Sequence, residues 1–243
     1  MKYMGSKRRI AKHILPIMLE AARFEGVTTW VEPFVGGANM IDKVPPTFKR
    51  IGSDLNAHTI EALIAIRDLV DLLPEEVSEE YYQSLKGGPP EPVSSWVRFV
   101  CSFGSKFEAG LARGVNGKGQ SRNHALESKN NALGQSPQLQ GVRLINCGYS
   151  ELIFTPAHKC LVYCDPPYVG TTSYKTESFD HSAFWQWCRD RSKEGHIVFV
   201  SEYSAPEDFY PLWQGEIGTN FASGRKEATH KAVEKLFRFN DLY

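Results

Sequence analysis

Apolar positions along the chain follow two periods, and the switching between them gives the first expectations. Ile10, Ile14, Ile17 and Met18 fall at helical spacing through Ala22, and Gly26 closes that segment as a C-terminal glycine closes a helix. Thr28 to Val31 is a short β-branched and aromatic run that breaks into Glu32-Pro33-Phe34-Val35-Gly36-Gly37, with a helix expected from Ala38. A second strand, Arg50 to Ser53, ends on Asp54 and leads into the amphipathic stretch Ala57 to Leu73.

From Pro74 to about Gln140 the alternation lapses. Gly87-Gly88-Pro89-Pro90 breaks the chain, a helix-like piece covers Ser94 to Phe103, and a long Gly-, Asn-, Ser- and Gln-rich stretch follows. The alternation returns with strands at Val142 to Asn146, Leu161 to Cys164 and Ile197 to Ser201, helical material at Ser182 to Lys193, and a last strand at Lys235 to Phe239. Strands alternating with helices predict a doubly wound α/β sheet, whose ligands collect at the carboxyl ends of the strands. Residues 1–73 and 141–243 then form one domain, and 74–140 an insertion that makes a small lobe or orders on a partner, since a structureless loop of that length is unusual inside a compact domain.

The chain of 243 residues, 42% hydrophobic and 23% charged, has the profile of a folded soluble protein and is long enough to bury a sizeable core. No apolar run approaches the ~20 residues of a membrane span, so a cytosolic protein with no membrane partner is expected. The five cysteines, Cys101, Cys147, Cys160, Cys164 and Cys188, lack the paired spacing of a zinc site, and no metal is expected. Net charge is formally zero, which by itself argues against a polyanionic partner. Its distribution argues the other way. Lys2, Lys7, Arg8, Arg9 and Lys12 crowd the start, Arg98, Lys106, Arg113, Lys118, Arg122 and Lys129 populate the middle, and Glu75, Glu76, Glu79, Glu80 and Glu91 lie between them. An ordinary solvated surface gives the same counts.

Two motifs carry candidate chemistry. The glycine turn at Glu32 to Gly37 follows a strand, and Asp54 ends the next strand 22 residues after Glu32. Glycine lets a backbone approach a ligand without a Cβ clash, and an acid ~20 residues on accepts ribose hydroxyls. The turn lacks the spacing that cradles a pyrophosphate, so a nucleoside without phosphates, such as S-adenosylmethionine, suits it better. A glycine turn needed only for helix packing reads the same way. The second motif is Asp165-Pro166-Pro167-Tyr168 at the end of the apolar strand Leu161 to Cys164. Two prolines cannot continue a central strand, and they leave a rigid extended loop with unpaired carbonyls. The Asp165 carboxylate and the Pro166 carbonyl are placed to accept the two N–H groups of an aromatic amine, with Tyr168 stacking on its ring. A rigid turn with a capping Asp is the alternative.

Taken with Lys2-Tyr3-Met4-Gly5-Ser6-Lys7, Val31 to Gly37, Ser53-Asp54-Leu55-Asn56 and, more loosely, Val233-Glu234-Lys235-Leu236-Phe237, these motifs resemble the DNA adenine methylase family in order and spacing. The resemblance implies a Rossmann-like, class I methyltransferase fold with an inserted target-recognition lobe. It further implies transfer of methyl from S-adenosylmethionine to N6 of adenine in double-stranded DNA, without an obligatory protein partner, in the cytoplasm of a bacterial or phage-infected cell. Carried over residue by residue, the family's cofactor contacts fall on Tyr3, Lys7, Asp54 and Asp165; the glycine turn adds Glu32, Phe34 and Gly36 as cofactor candidates, and catalysis is expected of Asp165, Pro166, Pro167 and Tyr168. The family form of the first motif has two glycines before its lysine, and Ser6 replaces the second here. The middle region departs most from the family. Lys106, Arg113, Asn116, Lys118, Arg122 and Asn123 offer chemistry for base edges and phosphates, and a flexible polar loop is the alternative for each. RNA, or N4 of cytosine, remains an alternative acceptor for the same loop, and a noncatalytic DNA-binding module remains an alternative to an enzyme.

Overall fold

A computed structural model describes residues 1–115, 117, 119–155, 158–168, 179–218 and 231–240. The strands form one sheet in the order β3-β2-β1-β4-β5-β7-β6. In chain order they are β1 (Thr29–Glu32), β2 (Lys49–Asp54), β3 (Val142–Asn146), β4 (Leu161–Cys164), β5 (Ile197–Glu202), β6 (Phe209–Gly218) and β7 (Lys231–Phe239). Pairing is parallel for β2 with β3, β1 with β4 and β4 with β5, and antiparallel for β7 with β5 and β6, so the sheet is mostly parallel. The helices are α1 (Ala11–Phe24), α2 (Ala57–Asp68), α3 (Glu79–Leu85), α4 (Pro92–Val100), α5 (His124–Leu139) and α6 (His181–Lys193). No helix among the described residues is long and apolar enough to cross a membrane.

By compactness the chain divides into two units, Met1–Leu15 with Pro33–Leu152, and Pro16–Glu32 with Ile153–Tyr243. In the first, β2 and β3 pair in register from Arg50 opposite Val142 to Asp54 opposite Asn146. Against them α2 buries Ile60, Leu63 and Ile66, and α4, packed on α2, buries Trp96, Val97 and Phe99. Arg98, itself buried, holds Glu108 at 2.7 Å and donates to the Gly88 carbonyl at 2.9 Å, which pins the segment after α4 to the loop before it. In the second unit β4 and β5 are fully buried, as strands covered on both faces must be. α1 ends in a Schellman motif, with Gly26 at φ +68° and the Val27 N–H donating to the Ala22 carbonyl at 2.8 Å.

Four elements differ from the sequence expectation. The residue after the glycine turn, Ala38, takes φ +55°, which stops a helix from starting there, and a short 3-10 turn at Ile41–Lys43 takes its place. Within the stretch expected to lack regular structure, α3 and α5 form. α5 is capped by the Asn123 side chain, which accepts from the Leu126 N–H at 2.9 Å. β6 was hidden by Pro211 and Gly215. It lies at the sheet edge, where a missing N–H costs no ladder bond, and its register shifts between Pro211 and Trp213.

Candidate functional site

In the first unit the glycine turn is the meeting point. Gly36 sits at φ +47°, and a side-chain carbon there would stand 3.0 Å from the Tyr3 ring. At Gly37 such a carbon would stand 2.6 Å from Tyr3 Cβ and 2.9 Å from the Met1 carbonyl, too close for any residue but glycine. The turn is therefore built to receive the N-terminal segment. Tyr3 is held further by the Phe99 ring at 5.6 Å and by its hydroxyl, 3.5 Å from Thr59 Oγ1. Phe34 packs on Tyr149 at 5.6 Å.

Asp54, at the carboxyl end of β2, closes the other side of the turn. One carboxylate oxygen accepts from the Gly36 N–H at 3.1 Å and the other from the Asn56 N–H at 2.9 Å. Burial pushes the acid up to about 6, against the pull of those two N–H groups. A carboxylate offers about four acceptor positions, so two are left for further donors. Lys7, in the 3-10 turn Lys7–Arg9, is buried and donates to the Gly5 carbonyl at 3.0 Å. Tyr3, Gly36 and Asp54 thus form one contact chain, with Lys7 on the segment that Tyr3 anchors.

In the second unit, the registers of β1 and β4 bring Trp30 opposite Leu161 and Val31 opposite Val162, so Glu32 and Asp165 emerge at the carboxyl ends of adjacent parallel strands. Chain order reverses between these two strands in the sheet, the position at which doubly wound sheets bind ligands. Glu32 is buried and accepts from the Trp30 indole at 2.8 Å. The Tyr163 hydroxyl is 2.8 Å from Ser201 Oγ, and its ionisation is pushed far up by burial, then by Asp165, Glu234 and Glu32. Three carboxylates therefore act on one buried phenol. The Tyr168 hydroxyl donates to the Glu234 carboxylate, and its ring meets Tyr203 nearly perpendicularly at 4.6 Å. Pro166 is buried and Pro167 exposed. The sequence alone does not mark Glu234 and Tyr203 as site residues, because partners this distant in sequence leave no local pattern.

The residues expected to face DNA lie in the first unit. Lys106 is exposed after the 3-10 turn Phe103–Ser105. Arg113 and Arg122 lie on either side of the antiparallel bridge between Val115 and Ser121, and line a cavity of about 530 Å³ together with His124 at the start of α5. Each arginine carries a carboxylate partner, Glu79 at 2.9 Å for Arg113 and Glu127, through two nitrogens, for Arg122. Asn123 is occupied as the cap of α5. Asn116 and Lys118 lie outside the described residues.

The class defined by this arrangement is a doubly wound α/β protein with acidic and glycine-turn chemistry at the carboxyl ends of its strands. Residues 3–90 match the family of D12 class N6 adenine-specific DNA methyltransferases. The match supports an adenine-specific DNA methyltransferase, and with it the resemblance drawn from the motifs. Among solved structures, a Haemophilus influenzae protein provisionally described as a methylase aligns over 96% of this chain and 89% of its own at 9% identity, with a TM-score of 0.38, too loose a likeness to carry an argument. Comparison with curated protein sequences finds no match.

Proposed function

We propose that the chain transfers a methyl group from S-adenosylmethionine to N6 of adenine within a specific sequence of double-stranded DNA. The observation that carries the reading is the Asp165 to Tyr168 loop. It leaves the carboxyl end of β4 beside that of the parallel strand β1, with two prolines fixing its backbone and Asp165 at its head.

The residues present suit the donor. Asp54 keeps acceptor positions for ribose hydroxyls after satisfying Gly36 and Asn56, and the turn at Gly36 and Gly37 seats Tyr3 close to it. The carboxylates of Glu32 and Asp165 give the ends of these strands a negative field that suits a sulfonium cation better than a phosphate. Tyr3, Lys7, Glu32, Phe34, Gly36, Asp54 and Asp165 would hold the donor. Bound there, it supplies an electrophilic methyl. The protein's own part is positioning. Asp165 and the Pro166 carbonyl accept the two N–H groups of the amine, so its lone pair points away from them, and Tyr168 stacks on a base flipped out of the duplex. Asp165 stands at the amine to take up the proton that transfer releases.

Residues 74–140 serve as the target-recognition region in this reading and 1–73 with 141–243 as the catalytic part, with Lys106, Arg113, Asn116, Lys118, Arg122 and Asn123 as DNA contacts. Incubation with labelled S-adenosylmethionine and unmodified duplex DNA, followed by digestion, should yield N6-methyladenine. Asp165→Ala should lower that yield by ~100-fold or more, the scale of losing a preorganised group at the reacting centre. Label in N4-methylcytosine, in RNA alone or in protein would overturn the reading, and so would full activity of Asp165→Ala.

A further inference from the structure

Among the mostly apolar buried positions of β7, one carries a carboxylate. Leu236 and Glu234 are both buried, two residues apart on one face of the strand. A leucine would fill such a place without cost, whereas a carboxyl group taken out of water destabilises the fold unless it is hydrogen-bonded. Glu234 is bonded to the hydroxyl of Tyr168, the last residue of the Asp-Pro-Pro-Tyr loop.

The antiparallel register explains how they meet. Glu202 at the end of β5 lies opposite Lys235, so Glu234 sits just beyond that end, level with Tyr203. Tyr203 in turn places its ring at 85° to that of Tyr168. The Tyr168 ring is thus fixed at three points: its backbone by the prolines before it, its flank by Tyr203 and its tip by Glu234.

We infer that Glu234 is a positioning residue, which sets the Tyr168 ring in advance as the platform for the flipped base. This rests on the function proposed above. A ring held before the base arrives loses no rotamer freedom on binding, so removing the anchor should weaken productive base capture and leave the donor unaffected.

The test uses the full chain and duplex DNA carrying 2-aminopurine at the target position, with wild-type formation of N6-methyladenine measured first. Glu234→Ala should lower kcat/KM for DNA by roughly 10- to 100-fold, the worth of a hydrogen bond to a charged group, and reduce the 2-aminopurine fluorescence gain of flipping. Calorimetric affinity for S-adenosylmethionine should stay within about twofold. Glu234→Gln keeps an acceptor oxygen and should recover most of the loss. Tyr168→Phe removes the hydroxyl, and adding Glu234→Ala to it should cost little more. Additive losses, or wild-type kcat/KM and fluorescence in Glu234→Ala, would overturn the inference. If Glu234→Ala fails to fold, Glu234→Gln against Tyr168→Phe decides: equal and large losses in both refute the anchor. A wild-type protein that makes no N6-methyladenine overturns the functional reading and the inference together, whereas failure confined to the variants refutes the inference alone.

Discussion

Asp54 shows how one side chain is tuned by where its strand ends. Burial favours the protonated acid, the N–H groups of Gly36 and Asn56 favour the anion, and burial wins, so the group titrates at about 6. The ionised form is the better acceptor for ribose hydroxyls. Protonation as pH falls through about 6 should therefore weaken binding of S-adenosylmethionine, by up to tenfold per pH unit, while affinity stays flat above pH 7. Calorimetry from pH 5 to 8 checks this. Asp54→Asn should bind more weakly with no such dependence, and a wild-type affinity that is constant through pH 6 would refute the role. Asp54 was legible as a candidate because its distance from the glycine turn is a local regularity. The turn's true demand was not. Gly37 excludes a side chain on account of Tyr3 and the Met1 backbone, a contact between segments far apart in sequence. The same holds for Glu234, which can be read from the sequence as part of a loose motif but not as the partner of Tyr168.

Among elements, the parallel strands β4 and β5 are legible because burial on both faces writes a continuous apolar run, as in Leu161 to Cys164. α5 is not. Its sequence holds Ser, Asn, Gln and Gly at many positions, and its buried face is made of Ala125, Ser128, Ala132, Gln135, Ser136 and Leu139, too polar to register as a hydrophobic stripe. Its far end is secured from another element. Arg50, buried on β2, donates to the Gln138 carbonyl at 2.7 Å and to that of Gln140. These are carbonyls that the end of a helix leaves unpaired. Arg50→Met should keep the apolar stem, orphan those acceptors and destabilise the fold by about 2 to 3 kcal/mol. Urea denaturation would report it as a lower midpoint with an unchanged slope, and an unchanged midpoint would show that water replaces the guanidinium without loss.

Across the molecule, 28 basic and 28 acidic side chains cancel, and the sequence suggests that they do so by segregation. The structure instead joins many of them. Glu79, from the acidic stretch, holds Arg113, Glu75 holds Lys129 at 3.1 Å, and Glu127 holds both Arg122 and Lys2. The Arg122 hydrogen bond, with help from Lys2, keeps the Glu127 carboxyl at about 2, ionised throughout the working range. If Arg122 serves a DNA phosphate, it must leave that partner. Glu127→Gln should then raise affinity for nonspecific duplex about two- to fivefold at low salt, the worth of an exposed ion pair, and steepen the salt dependence by ~0.9 in log–log slope. Anisotropy titrations across salt concentrations measure both, and unchanged or weaker binding would count against Arg122 as a phosphate contact.

The pairing of Arg122 with Glu127 means that the protein brings its own counterion. When a phosphate displaces a chloride from an arginine, the chloride diffuses away and its freedom adds to the driving force. A displaced glutamate is tethered, stays beside the DNA and draws a cation back to itself. Fewer ions are freed for each contact made, so a salt titration of the native protein should report fewer phosphates than the protein touches.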